Sequence, residues 1–338
     1  MGKILVTGGT GFIGSHTCVA LIRAGYQVVV ADNLSHSKVE SLARIQMITG
    51  KTPRFYQADM RDAEALRQVF LDHQIDGVIH FAGLKAVAES VEQPLAYYEN
   101  NVYGTLQLLR VMEEYGCKKL VFSSSATVYG AENTAPYREN METSAVNPYG
   151  QTKLMIEQIL EDICQADDSW SIAALRYFNP IGAHESGLLG EDPSGIPTNL
   201  VPCIARTVMG KQNALPVYGK DYDTPDGTGI RDYVHVMDLA EGHIAALAEY
   251  TAKRTGFRTF NLGTGKGYSV LEVVQTYEKV CGKRIPLHTE ARRNGDVAVS
   301  YADVTRAKEE LKWEATAGLS RMCADSWRFI CQNPRGLK

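Results

Sequence analysis

The 338-residue chain predicts an α/β protein, a doubly wound parallel sheet followed by a smaller α/β C-terminal domain for substrate. Three observations carry this. Short, near-continuous apolar runs alternate with helix-spaced segments through the first half. That is the pattern of parallel strands buried on both faces and joined by crossover helices. A glycine-rich turn, TGGTGFIG (7–14), follows the first run and opens a helix, the Rossmann-type arrangement for a dinucleotide. Beyond residue 180 the texture changes to loop-rich stretches, at 180–199 and 218–233, and loops of that length are usually functional. The expected division is 1–180 for a dinucleotide-binding domain and 181–338 for a substrate domain, with a segment near 230–265 free to return to the first.

The elements follow in order. KILVT (3–7) is a strand, and 12–25 a helix closed by Gly25. QVVVAD (27–32) and RFYQAD (54–59) are the next strands. AEALRQVFLDH (63–73) has helical spacing, and GVIHFAG (77–83), KLVFSSS (119–125) and SIAALRYFNP (171–180) complete six strands. After NPYGQTK (147–153), Met155, Ile159 and Ile163 with Ile156 and Leu160 keep helical periodicity. TFNLGTG (259–265) is the segment expected to rejoin the sheet.

Formal charge is −4 and evenly spread, so no basic surface for nucleic acid or membrane is expected. No apolar run reaches spanning length, and the N-terminus enters a strand without a signal-peptide pattern. The seven cysteines are odd in number and lack metal spacings, as in reduced thiols of a cytoplasmic enzyme. The eight histidines show no ligand spacing, so no metal is expected.

Gly8, Gly11 and Gly14 follow the first strand in G-x-x-G-x-x-G spacing. Glycine there lets backbone N–H groups approach a pyrophosphate at the positive end of the helix. Asp32, ending the second strand, suits ribose hydroxyls and repels an extra phosphate, which favours NAD over NADP. Tyr149 and Lys153 lie one turn apart near the start of a helix. A tyrosine with a pKa near ~10 needs nearby positive charge before it can act as a base. Ser125 ends the fifth strand, and Ser123 and Ser124 before it are expected to satisfy only backbone groups.

TGGTGFIG, FSSSATVYG and Tyr149-x-x-x-Lys153 together resemble the extended short-chain dehydrogenase/reductases. NLSHSK, HFAGLKAVAES, YYENN, NPYGQTK, LRYFNPIGAH, IPTNLVPCIA and GTGIRDYVHVMDLA further resemble the UDP-galactose 4-epimerase family, nearly end to end. The resemblance implies a phosphate loop of Gly8, Gly11, Phe12, Ile13 and Gly14, an adenosine site of Asp32, Asn33 and Ser37, and Asp59 and Met60 flanking the adenine. His36 departs from the Asn common in that loop. Phe81, Ala82, Gly83, Lys85, Asn100, Tyr177 and Phe178 would line the rest of the NAD site, with Ser125, Tyr149 and Lys153.

For the UDP-sugar, the resemblance implies Lys85, Ser125, Ala126, Thr127, Tyr149, Tyr177, Asn179, Asn199, Leu200, Tyr218, Arg231, Tyr233, Arg293, Asp296 and Ser300. Arg231 and Arg293 suit a diphosphate, which guanidinium binds bidentately. Tyr149 would take the proton of the sugar's 4-hydroxyl while bound NAD oxidises carbon 4. The 4-keto sugar would turn over and be reduced on its other face, converting UDP-galactose and UDP-glucose. A sugar dehydratase needs acids after the serine, where this chain has Ala126 and Thr127. Simple dehydrogenation and a non-catalytic NAD-binding module are the other readings. Some relatives carry a bulky tyrosine where this chain has Ser300, which implies room for N-acetylated UDP-sugars. By analogy a homodimer is expected, through helices near 96–116 and 149–165.

Overall fold

The structure is a computed structural model describing residues 2–193, 195, 197–293 and 295–338. The first half runs β1 (Lys3–Thr7), α1 (Phe12–Arg23), β2 (Gln27–Asp32), α2 (Glu40–Thr49), β3 (Arg54–Gln57), α3 (Ala63–Asp72) and β4 (Gly77–His80). Then come α4 (Val87–Glu92), α5 (Pro94–Tyr97), a π-helical turn (Tyr98–Tyr103), α6 (Gly104–Glu114), β5 (Lys119–Ser125), a 3-10 turn (Ala126–Tyr129), α7 (Pro148–Ala166) and β6 (Ser171–Tyr177). The second half holds β7 (Asn179–Ile181), α8 (Leu200–Val208), β8 (Leu215–Tyr218), β9 (Ile230–His235), α9 (Val236–Ala245), a second π-helical turn (Ala246–Thr251) and β10 (Gly256–Leu262). It ends with β11 (Gly267–Ser269), α10 (Val270–Cys281), β12 (Leu287–Glu290), β13 (Val299–Ser300), α11 (Thr305–Glu310) and α12 (Leu319–Gln332).

Alternate residues of the first strands feed two separate cores. Ile4, Val6, Val28, Val30 and Val121 pack on one face, and Leu5, Val29, Ala31, Val78 and Leu120 on the other. Each large apolar side chain so buried stabilises the fold by about 1.5–3 kcal/mol over exposure. The runs therefore read as continuous, because neither face meets water.

The seven-stranded sheet has the order β10-β6-β5-β4-β1-β2-β3, all parallel. The chain moves outward from β1 to β3, then returns to β4 on the other side of β1. That reversal opens a crevice at the carboxyl ends of β1 and β4, where such folds bind ligands. The strand at TFNLGTG returns as expected: β10 pairs with β6 from Gly256 to Leu262.

One expected strand is two. The run 171–180 leaves the large sheet at Tyr177, and Asn179–Ile181 pairs instead with β9. Phe178 between them donates its N–H to Leu262 O at 3.3 Å. The chain thus crosses from one sheet to another within a residue. β9 also pairs with β11 and β13, and β8 pairs with β12. Ile181, Ile204, Tyr233, Val273, Tyr277 and Met322 form a core of their own beneath this second set. Other boundaries shift slightly: the first helix ends at Arg23, RFYQAD at Gln57 and GVIHFAG at His80. Among the described residues no helix is long and apolar enough to cross a membrane. All seven cysteines are free, four of them buried.

Candidate active site

The site starts at the first turn of α7. Asn147 caps it, its side chain accepting from Gly150 N at 2.9 Å, and Pro148 takes the first helical position. Tyr149 is thereby fixed at the helix start, with Lys153 one turn on. Lys153 is 5% exposed. Its ammonium donates to Ser123 O at 2.7 Å and lies 4.9 Å from the Phe122 ring centre and 5.9 Å from that of Tyr149. Helix α7 and the end of β5 are thus tied directly together.

Ser125 ends β5 and caps the 3-10 turn, its Oγ accepting from Thr127 N at 3.2 Å and from Thr127 Oγ1 at 3.0 Å. Ala126 and Thr127 follow as the first residues of that turn. The hydroxyls of Ser123 and Ser124 do more than satisfy backbone. Ser123 Oγ bonds the Tyr177 hydroxyl, and Ser124 Oγ donates to Glu157. Strands β5 and β6 are in register Ser123–Leu175 to Ser125–Tyr177, which sets this contact.

Burial lowers Lys153 to about 8, partly offset by the negative charge of Glu157. Burial raises the Tyr149 phenol, and the facing Ser125 hydroxyl draws it back down. Tyr177 is raised by burial. His80, at the end of β4, is pushed to about 3 by burial and then by the charge of Lys153, so it stays neutral.

The glycine turn sits at the crevice. Gly8 has φ +69°, open to glycine, and a Cβ there would lie 2.7 Å from Ala82 N. The turn after β1 therefore presses on the loop Phe81–Ala82–Gly83 after β4. A Cβ on Gly14 would sit 2.2 Å from Gly8 O, so only glycine lets α1 start this close. Gly11 caps α1, leaving the N–H groups of Phe12 and Ile13 as helix-start donors. Asp32 is buried, accepting from Leu34 N and Ser37 Oγ at 2.9 Å and from Thr10 N at 3.2 Å. Asn33 donates to Asp59 at 3.0 Å, and Arg61 holds the Asp59 carboxyl well below its ordinary range. Met60 is buried beside Gly104. These donors and this carboxylate fit a dinucleotide pyrophosphate and ribose.

Asn100 was expected to line the site; the residue after it holds the loop. Asn101 is buried, accepts from Leu84 N at 2.8 Å, and donates to Leu84 O at 3.0 Å and Thr152 Oγ1 at 3.1 Å. It ties the loop after β4 to α7, and Asn100 donates to it at 3.0 Å. Both lie in the π-helical turn, a distortion common at functional sites. The repeated Asn in YYENN was the available signal.

Across the crevice, Arg231 Nη2 lies 3.7 Å from one oxygen of Asp296, and Arg293 Nε 3.1 Å from the other. The Arg293 guanidinium stands 4.7 Å from the Tyr218 ring centre. Arg231 pairs with Ser300 in the β9–β13 register, and Tyr233 with Asn179 in β9–β7. Asn199 caps α8, ahead of Leu200, and donates to Glu191 at 3.3 Å. The same Glu191 oxygen lies 3.7 Å from Lys85 Nζ. Glu191, missed in the sequence reading, links the loop after β4 to α8.

A family model described as GDP-mannose 4,6 dehydratase matches residues 5–326. A curated UDP-glucose 4-epimerase of Bacillus subtilis (strain 168) is 58% identical over 335 residues, covering 99% of this chain and 98% of that protein. The chain belongs to the UDP-glucose 4-epimerase family. A Mus musculus UDP-glucose 4-epimerase is 54% identical, covering 99% of each. A solved structure of UDP-glucose 4-epimerase from Bifidobacterium longum, in complex with NAD+ and UDP, is similar at TM-score 0.96, 52% identity and 99% coverage of each chain. That from Stenotrophomonas maltophila, with NAD and formylated UDP-arabinopyranose, gives 0.97 at 46% identity, again covering 99% of each. This epimerase has Ala126 and Thr127 after its serine, and neither side chain can donate a proton as an acid to expel water.

Proposed function

We propose that this epimerase interconverts UDP-galactose and UDP-glucose at carbon 4, with NAD resident in the crevice and the side chains dividing the work as follows. Bound NAD supplies a hydride acceptor and donor for carbon 4 and a positive ring charge. Tyr149 takes the 4-hydroxyl proton and later returns it. Ser125 hydrogen-bonds the 4-oxygen and relays the proton. Lys153 favours the phenolate by its charge and also bonds the cofactor ribose. Gly8, Gly11, Phe12, Ile13 and Gly14 hold the pyrophosphate, and Asp32, Asn33 and Ser37 the adenosine ribose. Asp59 and Met60 flank the adenine. Phe81, Ala82, Gly83, Lys85, Asn100, Tyr177 and Phe178 line the nicotinamide half.

Arg231 and Arg293 clamp the diphosphate, steadied by Asp296. Tyr218, Tyr233, Asn179, Asn199, Leu200, Ala126 and Thr127 complete the nucleotide-sugar pocket. The clamp keeps the 4-keto sugar bound while it turns, so that reduction on the opposite face inverts carbon 4 with no net redox change. Ser300, one residue opposite Arg231, leaves space for an N-acetyl group, and the enzyme also interconverts the N-acetylated UDP-hexoses. Residues 1–180 form the NAD-binding unit together with the part of the expected 230–265 segment that returns to it, α9 against α1 and β10 beside β6, and the remainder, β9 included, forms the UDP-sugar unit.

The observation that carries this reading is the convergence of Tyr149, Lys153 and the β5 serines on one strand end. The test supplies UDP-galactose to purified protein with no added NAD. Formation of UDP-glucose toward equilibrium, without lasting NADH absorbance, is expected. Turnover only with added NAD, with NADH rising in step with substrate loss, would establish a dehydrogenase instead.

Two copies associate through α4, α5, the π-helical turn and α7, which pack side by side. Together they expose Val91, Leu95, Tyr103 and Met155, with Leu95 83% exposed. Exposed apolar side chains on several mutually packed helices suit a self-complementary partner. Sedimentation should give twice the chain mass, and Leu95→Asp should halve it. The unbridged cysteines suit the cytoplasm.

A further inference from the structure

Three consecutive serines of β5 meet three residues spaced four apart on α7. Ser123 offers its carbonyl to Lys153 at 2.7 Å, Ser124 its hydroxyl to Glu157, and Ser125 faces Tyr149. Glu157 is the member that the reaction does not use. Its side chain is 4% exposed and pairs with Arg176, 6% exposed, which donates from Nη2 at 2.6 Å and from Nε at 3.0 Å. Arg176 precedes Tyr177 on β6, stands 5.0 Å from the Tyr129 ring centre and donates to Glu139 O at 3.3 Å. One carboxylate thus touches the strand ends that deliver both Ser125 and Tyr177.

We propose that Glu157 is a positioning residue for Lys153: it locks β5 and β6 against α7 and supplies the buried negative charge that keeps the ammonium protonated. The inference rests on the roles given above to Tyr149 and Lys153. A buried ion pair is weak evidence of stability, since an apolar pair of similar volume often serves as well. What an apolar pair cannot do is put a negative charge one helical turn from a buried ammonium. Lys153 needs one. Its hydrogen bond goes to a neutral carbonyl. Tyr149 and Glu157 on its own helix and neutral His80 on β4 act at Lys153 itself, while Arg176 and Tyr177 on β6 bond its partners Glu157 and Ser123, and Tyr97 on α5, held by Glu89 of α4, faces Tyr149. Among these described groups Glu157 is the carboxylate whose charge acts on the ammonium. With Lys153 already lowered by burial, removing it lowers the ammonium further.

The test is the pH profile of the holoenzyme for Glu157→Gln and for the neutral pair Glu157→Gln with Arg176→Gln, alongside thermal melting. Activity needs the protonated lysine, so the alkaline limb of kcat is expected to move down by about one pH unit in the single variant. In the double variant, where no unpaired guanidinium remains, it moves the same way by about half as much. KM for UDP-galactose stays within about twofold in both, since neither residue belongs to the UDP clamp. A purely structural role lowers melting temperature and kcat while the limb stays in place, and that result overturns the proposal. If the single variant does not fold, the double one decides. If neither folds, the pair is structural and the proposal fails. Retained activity in Tyr149→Phe would sink the underlying reading instead, so the two failures are distinct.

Discussion

The ammonium of Lys153 donates to the carbonyl oxygen of Ser123 at 2.7 Å. This bond crosses from the first turns of α7 to the end of β5, the two elements that carry Tyr149 and Ser125. It leaves the lysine buried and, among the described residues, without a hydrogen-bonded carboxylate, and burial draws it down to about 8. The lysine must be charged to favour the phenolate. Activity should therefore fall as pH rises through about 8, and at a lower pH still once the positive ring of NAD is nearby. A kcat profile flat from neutrality to about pH 10, the range of an unperturbed lysine, would contradict this assignment.

Tyr149→Phe removes the proposed proton acceptor and leaves the ring in place. A positioned acid–base group contributes about 10²–10⁴-fold. We expect kcat to drop by that amount while NAD retention and melting temperature hold. Cofactor content and turnover measured on one preparation check it. A loss of less than about tenfold would move the base role to another group.

Arg293→Met tests the proposed diphosphate clamp. A charge-assisted hydrogen bond contributes about 1.5–3 kcal/mol, or roughly tenfold to a hundredfold in affinity. UDP binding by calorimetry should weaken by that factor, with kcat at saturation little changed. Asp296 holds both arginines, so Asp296→Asn should shift affinity rather than chemistry. A fall in kcat alone would place Arg293 nearer the reacting carbon.

The central sheet was legible because its strands are buried on both faces and so carry local apolar runs. Gly8, Gly14 and Asp32 were legible because they follow or end such a run, and Tyr149 and Lys153 because they stand one turn apart at the start of a helix-spaced apolar stretch. The break at Phe178 was not, because SIAALRYFNP reads as one strand until Asn179 finds Tyr233, far away in sequence. Asn101 and Glu191 were missed because their partners are loop backbone and side chains brought close only by the fold. Glu157 left a trace: a carboxylate one turn after Lys153 inside the apolar stretch LMIEQIL. The π-helical turn at Tyr98–Tyr103 has no periodic signature in six residues.

Ser300→Tyr tests the width of the pocket. Ser300 is half-buried, and its backbone is held on two sides: by the register with Arg231, and by the neighbouring Tyr301, whose carbonyl accepts from Tyr137 N at 2.9 Å. A larger side chain at this position projects beside Arg231, its partner in the β9–β13 register. Tyr137 is buried there with its hydroxyl toward Ser300, which limits how far a new ring can turn aside. The substitution should therefore exclude the bulkier 2-substituent and spare the hydroxyl. We expect the ratio of N-acetylated to plain UDP-hexose activity to fall at least about tenfold, the scale on which small differences in pocket volume discriminate substrates. Both activities are to be measured on the same preparation, by chromatography of the product sugars. An unchanged ratio would mean that neighbouring side chains already fill the gap, and the steric argument would be wrong.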